Sequence, residues 1–321
     1  MMRAGLSIMA VIAAVGGLSL VILPDEGKKN GKMGKGKGDG DRVVAVAPAG
    51  AGAVPPVAAA VTDSAGAFAC RQDAAGIQLP NSVPESSGLA LGAGGDFLWT
   101  HNDSGQPVLY RVGLDGRPRG QVNVTGANVQ DWEDVAAGPC PGGGRCLFVG
   151  DIGDNEARRP SITIYRLPEP PVGDAQTLLP PDALTASYPE GPQDAEALFV
   201  LPDGAVYIVT KGEKGPVTLY QLPRDARPGT VARLRRVAQL NADEVKRAER
   251  ITGAAASPDG NWFALRTLRE VSFYPTGSLS AERLPAPLTF DLRALQEPQG
   301  EAVEFGRDGV IHLSSEGGKR S

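Results

Sequence analysis

A pattern of short apolar strands joined by glycine-containing turns recurs after residue 85, and it constrains the fold more than any other feature of the chain. Each repeat starts at a polar position, continues through two apolar strands and reaches a third strand that usually carries a tyrosine. Successive repeats begin 46 to 63 residues apart, a spacing typical of propeller blades with some long loops. The five repeats begin at Ser87, Glu133, Glu196, Thr252 and Glu301.

The turns and the tyrosines of the repeat support the same prediction. Asp-Gly pairs follow the first strand at Asp203-Gly204 and Asp259-Gly260, and such pairs favour tight hairpins because glycine accepts a positive φ angle. Abundant glycine (42 residues) and few aromatic residues (5%) suit an all-β chain rich in turns. Four of the six tyrosines occupy one position of the third strand, namely Tyr110, Tyr165, Tyr220 and Tyr274.

The last repeat ends after two strands, at Ser321. A propeller needs a completed last blade, because an open sheet edge invites pairing with other chains. Residues from about Ala67 to Leu79 can supply the missing strands. The sequence therefore predicts an all-β propeller of about five blades over residues 66–321, closed by N- and C-terminal strands. Five and six blades both remain open.

The N-terminus contains an uncharged apolar run from Ala4 to Leu23, which is long enough to span a bilayer as a helix. No small-residue cleavage site follows directly, so residues 1–24 are predicted to be an uncleaved signal-anchor rather than a signal peptide. Residues 25–65 are rich in Gly, Lys, Ala and Pro and are predicted to be a flexible linker. The linker contains a basic cluster of Lys28, Lys29, Lys32, Lys35, Lys37 and Arg42.

The side of the membrane on which the propeller lies is left open by two opposing signals. The basic cluster after the helix would place the rest of the chain in the cytoplasm. Cys140 and Cys146, however, flank a short loop between two apolar runs, and a disulfide there implies an oxidising compartment. We therefore expect a membrane-anchored monomer on the periplasmic or extracellular side. Cys70 has no evident partner, and a net charge of −5 gives no support for nucleic-acid binding.

The repeat also predicts where a site lies. Neighbouring strands of a blade are antiparallel, so the residues before each first strand and after each second strand converge at one end of the central channel. Carboxylates that are held this close need a cation or a proton between them, and oxygen-rich sites suit Ca²⁺ or Mg²⁺. The alternative is that these polar groups only bond neighbouring blades. The candidate metal ligands are Glu133, Asp151, Asp154, Glu196 and Glu301.

Other polar residues at the same end are candidates for binding a small-molecule or protein ligand. They are His101, Asp103, Lys211, Arg266 and Arg269. The three cations would form a positive wall opposite the carboxylates, suited to a phosphate or carboxylate group. No nucleophile elbow and no phosphate-binding loop is present. A binding protein is therefore the favoured function, and a metal-dependent hydrolase of phosphoesters or of lactone-type esters is the alternative.

Three phrases of the sequence are distinctive in combination: Trp99 to Gly105 (WTHNDSG), Asp131 to Ala136 (DWEDVA) and Val149 to Asn155 (VGDIGDN). Together they resemble a group of exported bacterial β-propeller proteins, over roughly residues 80 to 321. A more distant likeness, in acidic channel loops and architecture only, is to the β-propeller phytases. That likeness implies a calcium-dependent hydrolase, but the chain lacks the dense Lys/Arg set that a highly phosphorylated substrate requires.

Overall fold

The computed structural model describes four short strands near the N-terminus and then residues 76–172, 176–178, 180–281, 283–307 and 310–316. The N-terminal strands are β1 (Ala13–Ala14), β2 (Ser19–Pro24), β3 (Ala60–Thr62) and β4 (Phe68–Gln72). The described strands form five sheets, and the helical structure of the described part is limited to 3₁₀ turns at Arg247–Glu249, Thr276–Ser280 and Arg293–Leu295.

Four sheets each contain a complete blade of four antiparallel strands that follow one another in chain order, and two further short strands add in parallel to blade edges. The first contains β5 (Leu89–Leu91), β6 (Phe97–Thr100), β7 (Val108–Gly113) and β8 (Pro118–Val124). The second contains β9 (Trp132–Pro139), β10 (Arg145–Asp151), β11 (Ile162–Pro168) and β13 (Asp182–Ser187), while β12 (Gln176–Leu178) adds in parallel to β8 of the first blade.

The third and fourth blades follow the same plan. The third contains β14 (Ala195–Val200), β15 (Val206–Thr210), β16 (Thr218–Gln221) and β18 (Arg235–Gln239), while β17 (Val231–Arg233) adds in parallel to β13. The fourth contains β19 (Ile251–Ala256), β20 (Trp262–Thr267), β21 (Glu270–Pro275) and β22 (Leu288–Asp291).

The fifth sheet combines both ends of the chain. β23 (Gln299–Phe305) pairs with β24 (Ile311–Glu316), and β24 then pairs with β2, which pairs with β4. The innermost strands β5, β9, β14, β19 and β23 contact one another in sequence, and β23 contacts β5. The all-β propeller predicted from the repeat is therefore confirmed as an architecture, with its first strands arranged around a central channel.

The hydrophobic core lies between neighbouring blades rather than inside one sheet. Each blade packs on both faces, so β14 and β15 are buried at every residue and show no alternation of apolar and polar positions. Phe199 of the third blade stacks on Phe263 of the fourth at 5.1 Å, and Phe263 stacks on Tyr274 at 5.1 Å. Tyr274, one of the repeat tyrosines, thus extends within the fourth blade the aromatic stack that joins the third and fourth blades.

The predicted Asp-Gly turns have the expected geometry. Gly204 and Gly260 have φ angles of 83° and 70°, in the region that favours glycine. The carboxylate of Asp203 accepts a hydrogen bond from the backbone N–H of Ala205 at 2.9 Å, which fixes the turn between β14 and β15. These turns lie at the end of the channel opposite the site described below.

Two predictions, the disulfide and the membrane helix, concern export of the protein. The disulfide between Cys140 and Cys146 is confirmed, and it closes the loop between β9 and β10. The predicted membrane helix, Ala4 to Leu23, falls mostly outside the described residues, but the residues of it that are described belong to strands β1 and β2. The described part of the chain contains no helix with the length and hydropathy of a bilayer span. The predicted linker, residues 25–65, is described only at β3.

Candidate functional site

A β-bulge recurs near the start of four of the five innermost strands, and a side chain at each bulge lines the channel. In the second blade, Trp132 pairs with Asp151 and Asp134 pairs with Gly150, so Glu133 is the extra residue between them. Bulges redirect side chains and are frequent beside functional sites. The same irregularity occurs in the third, fourth and fifth blades, at Glu196, Thr252 and Glu301.

These bulged residues line a cavity of about 500 Å³ at the end of the channel where the first strands begin, which we call the mouth. Seven carboxylates and three basic side chains line it, so the mouth is predominantly acidic. The carboxylates are those of Asp103, Asp131, Glu133, Glu196, Glu213, Glu301 and Glu316, and the basic residues are Lys211, Arg247 and Arg250. Ser87, Asn155, Thr252, Leu268 and Gln299 complete the lining.

Lys211 neutralises the carboxylates of the third blade. Its ammonium group forms an ion pair with Glu196, lies 3.6 Å from Asp194 and donates a hydrogen bond to Asn155 at 3.1 Å. Burial alone would lower the pKa of Lys211, but the adjacent carboxylates outweigh it and raise that pKa above its ordinary value. Lys211 is therefore a fixed internal cation. Arg250 similarly pairs with Glu213 at 2.9 Å.

The remaining five carboxylates of the mouth have no such partner and form what we call the acidic arc: Asp103, Asp131, Glu133, Glu301 and Glu316. Among the described residues, no ion pair reaches any of them. Burial, together with the neighbouring carboxylates Glu196 and Asp131, raises the pKa of Glu133 well above its ordinary value. Burial and the neighbouring Glu316 raise the pKa of Glu301 to about 8.

The raised pKa values of these carboxyl groups predict that the stability of the protein depends on pH. The folded protein holds a proton on Glu301 between the ordinary pKa of 4.5 and about 8, whereas the unfolded chain does not, so stability falls as pH rises through that window. Buried His101, whose pKa is lowered to about 4, has the opposite effect, but only below 6.5. We therefore expect the free energy of unfolding to decrease between about pH 6.5 and pH 8.

Urea denaturation at both ends of that pH range measures the decrease. The Glu301→Gln variant carries no titratable group at this position, so its free energy of unfolding should change less with pH than that of the wild type. The conservative surface substitution Asp182→Asn serves as the control and should keep the wild-type slope. Identical slopes in the wild type and in Glu301→Gln would show that Glu301 does not hold a proton in the folded protein.

The five predicted metal ligands are not brought together. Asp151 is buried, forms an ion pair with Arg159 at 2.8 Å and accepts backbone N–H bonds from the loop that precedes β9. Asp154 accepts the backbone N–H of Arg159 at 2.6 Å. Only Glu133, Glu196 and Glu301 line the mouth, and Glu196 is paired with Lys211. Within the described ranges, no group of three or more His, Cys, Asp or Glu residues is arranged to hold a metal ion.

Of the five predicted ligand-binding residues, two line the mouth and three do not. Asp103 and Lys211 line the mouth. His101 is buried beside Trp132, and burial lowers its pKa to about 4, so it is neutral at pH 7. Arg266 is fully buried and paired with Glu297 at 2.6 Å, while Arg269 lies exposed in the turn after β20. The basic residues that line the mouth beside the fourth blade are Arg247 and Arg250, which precede β19, rather than Arg266 and Arg269.

Several important residues were not anticipated from the sequence. Arg159 and Arg247 lie in loops that carry no repeat signal. Gly153, in the VGDIGDN phrase, leaves space for the Glu133 carboxylate, because a Cβ atom there would collide with its Oε1. That phrase therefore contributes to the mouth through its glycine and through the Asp151–Arg159 pair.

No protein-family model matches the chain, and no curated protein matches it. Similar solved structures include a hydrazine synthase from Kuenenia stuttgartiensis, which matches over 70% of this chain with 14% identity and a TM-score of 0.37. The match spans about half of the hydrazine synthase chain, 52% of its length. A gluconolactonase from Xanthomonas campestris matches over 71% of this chain and 72% of its own (15% identity, TM-score 0.40).

A PQQ-bound aldose sugar dehydrogenase from Streptomyces coelicolor matches over 68% of this chain and 84% of its own, with 13% identity and a TM-score of 0.39. Similarity at this level carries no information about a ligand or a reaction. The chemistry of the mouth therefore has to be inferred from its own side chains.

Proposed function

We propose that the protein is an extracytoplasmic propeller that binds a small polar ligand in the mouth. The observation that carries the proposal is the bulge repeated at Glu133, Glu196, Thr252 and Glu301, which directs four side chains from four blades into one cavity. Concave sites with a few convergent polar groups are typical of ligand pockets.

Thermal melting of the purified protein with a panel of amines, sugars, carboxylic acids and phosphate esters tests this proposal. A ligand that binds only the folded state raises the melting temperature. The same compound should fail to stabilise Glu133→Gln, yet it should still stabilise Asp203→Asn, whose side chain lies at the opposite end of the channel. If no compound of the panel shifts the wild type, or if both variants respond as it does, the mouth is not the binding site.

Calcium is a specific case, and we expect about 1 mM Ca²⁺ to leave the melting temperature unchanged. Lys211 already supplies a positive charge to Glu196, and Arg159 supplies one to Asp151, so cations of the protein already neutralise two of the predicted ligands. The carboxylates of the acidic arc are spread over three blades and, within the described ranges, form no group that is arranged to hold an ion. A rise of several degrees that is lost in Glu133→Gln would instead establish the calcium site predicted from the sequence.

A hydrolase that uses the same mouth is the second candidate. It is favoured by the carboxyl groups whose pKa values lie near neutrality, about 8 for Glu301 and about 7 for Glu196, since a general acid or base works best near the operating pH. A screen of phosphoester, lactone and carboxylic ester substrates with wild type and Glu301→Gln separates the two functions. Turnover that Glu301→Gln abolishes would support the hydrolase.

We also infer that the propeller has five blades and is closed by the N-terminal strands. β24 would otherwise present an open edge, which β2 covers by pairing Ser19 with His312. Deleting residues 1–75 removes β1 to β4 and should lower the melting temperature by about 10 °C or more or produce soluble aggregates. A shortened protein that melts with the wild type and stays monomeric would show that these strands do not complete the blade.

The disulfide supports our proposal that the protein works outside the cytoplasm, because disulfides persist in oxidising compartments. The membrane tether stays a prediction. It is incompatible with strand β2, because Ser19–Pro24 cannot both pair with β24 and cross a bilayer as a helix. Alkaline carbonate extraction of membranes that contain the full chain distinguishes the two: an integral helix resists extraction, whereas a strand in the fifth sheet releases the protein.

A further inference from the structure

The carboxyl group of Glu133 is nearly buried and has no hydrogen-bond or ion-pair partner among the described residues. Its side chain is only 8% exposed and lines the mouth, yet no hydrogen bond or ion pair joins its carboxyl group to another residue of the described ranges. Buried polar groups normally have a partner, because an unpaired one forfeits its hydration without compensation. The Glu133 carboxyl group faces the cavity and is therefore free to accept hydrogen bonds from a ligand that enters the mouth.

The charges around Glu133 indicate the sign of that ligand. Lys211 is paired with Glu196, and Arg250 is paired with Glu213, so neither basic side chain forms an ion pair with the acidic arc. Arg247 is exposed on the 3₁₀ turn before β19. The two acidic residues that sit deepest, Glu133 and Glu301, thus face a cavity with no cation paired to them. A positively charged group is the complement.

The distribution of the acidic arc indicates more than one charge on the ligand. Asp131 and Glu133 belong to the second blade, while Glu301 and Glu316 belong to the fifth, and the first blade with Asp103 lies between them. The carboxylates therefore line a curved wall rather than one point. A single small ion contacts one part of such a wall, whereas a flexible molecule with two or more ammonium groups contacts both ends of it.

We propose that the ligand of the mouth is an aliphatic amine with at least two ammonium groups, held by Glu133 on one side and by Glu301 on the other. This inference rests on the proposed function and names the ligand class of the same site. A cavity of about 500 Å³ accommodates such a chain, and its polar lining provides the hydrogen-bond acceptors that ammonium groups need.

Calorimetric titration with 1,4-diaminobutane and spermidine at about 0.15 M salt tests the proposal, since that ionic strength screens non-specific attraction between exposed charges. Both amines should bind saturably at one molecule per chain, and uncharged 1,4-butanediol should not bind. Glu133→Gln and Glu301→Gln should each weaken the affinity by about tenfold or more, which corresponds to about 1.4 kcal/mol. Asp203→Asn should bind as the wild type does.

Three results would overturn the proposal: absence of saturable heat with both amines, equal binding of 1,4-butanediol, or unchanged affinity in both glutamine variants. These results are distinguishable from a failure of the proposed function. If a sugar or an organic acid of the wider panel binds in a Glu133-dependent manner while the amines do not, the mouth is a binding site for a different ligand class. If nothing in the panel binds, both inferences fail.

Discussion

Replacing Asp134 with alanine is expected to lower the free energy of unfolding by about 4 kcal/mol. The carboxylate of Asp134 is fully buried and accepts the backbone N–H groups of Val135 at 2.8 Å, Leu198 at 2.9 Å and Ala254 at 3.3 Å. These donors belong to β9, β14 and β19, so one side chain joins the innermost strands of three blades. Alanine leaves all three N–H groups buried and unpaired.

Urea denaturation measures this loss directly, and a decrease of about 10 °C in melting temperature should accompany it. Asp134→Asn retains one acceptor oxygen but brings an amide donor against the N–H groups, so its loss should be intermediate. The neighbouring substitution Glu133→Gln is the matched control, because its side chain faces the mouth and holds no backbone group. Asp134→Ala and Glu133→Gln variants of equal stability would show that Asp134 does not link the blades.

The Arg266→Met variant is expected to lose about 3 to 5 kcal/mol of stability, because it leaves the buried carboxylate of Glu297 without its partner. Arg266 is 0% exposed, pairs with Glu297 at 2.6 Å and donates to the carbonyl oxygens of Ala302 and Ser314. It thereby joins the fourth blade to the fifth. Gly300 makes this approach possible, since a Cβ atom at that position would collide with the guanidinium.

A double variant separates the buried charge from the lost hydrogen bonds. Arg266→Met with Glu297→Leu removes both charges, and it should recover about half of the loss seen in the single variant. Chemical denaturation of the wild type, both single variants and the double variant completes the cycle. If Arg266→Met alone costs less than about 1 kcal/mol, the ion pair does not support the contact between the blades.

The repeat predicted the fold and the location of the mouth because both depend on strand order. Strands that alternate in direction must bring the starts of all first strands to one end, and that end is where Glu133, Glu196 and Glu301 lie. The hydrophobic pattern of the sequence could not reveal the bulges, because one extra residue does not change the pattern of a strand that is apolar at nearly every position. The bulges nevertheless decide which side chains enter the channel.

Arg266 illustrates how charged residues near the mouth can be assigned to the wrong surface. In the sequence Arg266 follows an apolar run, as Lys211 does, yet Lys211 lines the mouth and Arg266 is buried between blades. Arg266 pairs with Gly253 in the strand ladder, directly beside the bulge at Thr252. Arg266 therefore occupies the position that Val209 has opposite Ala197 in the third blade, and it lies within its strand, whereas Lys211 follows the end of β15.

The apolar N-terminal run shows a similar ambiguity. Its length and lack of charge predict a helix, but the same composition also suits strands buried between two neighbours. Ser19–Pro24 lies between β24 and β4 in the fifth sheet, where its apolar residues are consistent with a central strand. Periodicity could not distinguish these outcomes, because a continuous apolar run has no preferred face.

Calorimetric titration of the wild type and of Glu133→Gln, with the compound that most raises the melting temperature, tests the central claim that the mouth binds a ligand. The geometry predicts one bound molecule per chain and an affinity that is at least about tenfold weaker in the variant, a difference of about 1.4 kcal/mol. Equal affinity in the two proteins would contradict the claim, because it would place the ligand away from the cavity into which the repeated bulges direct their side chains.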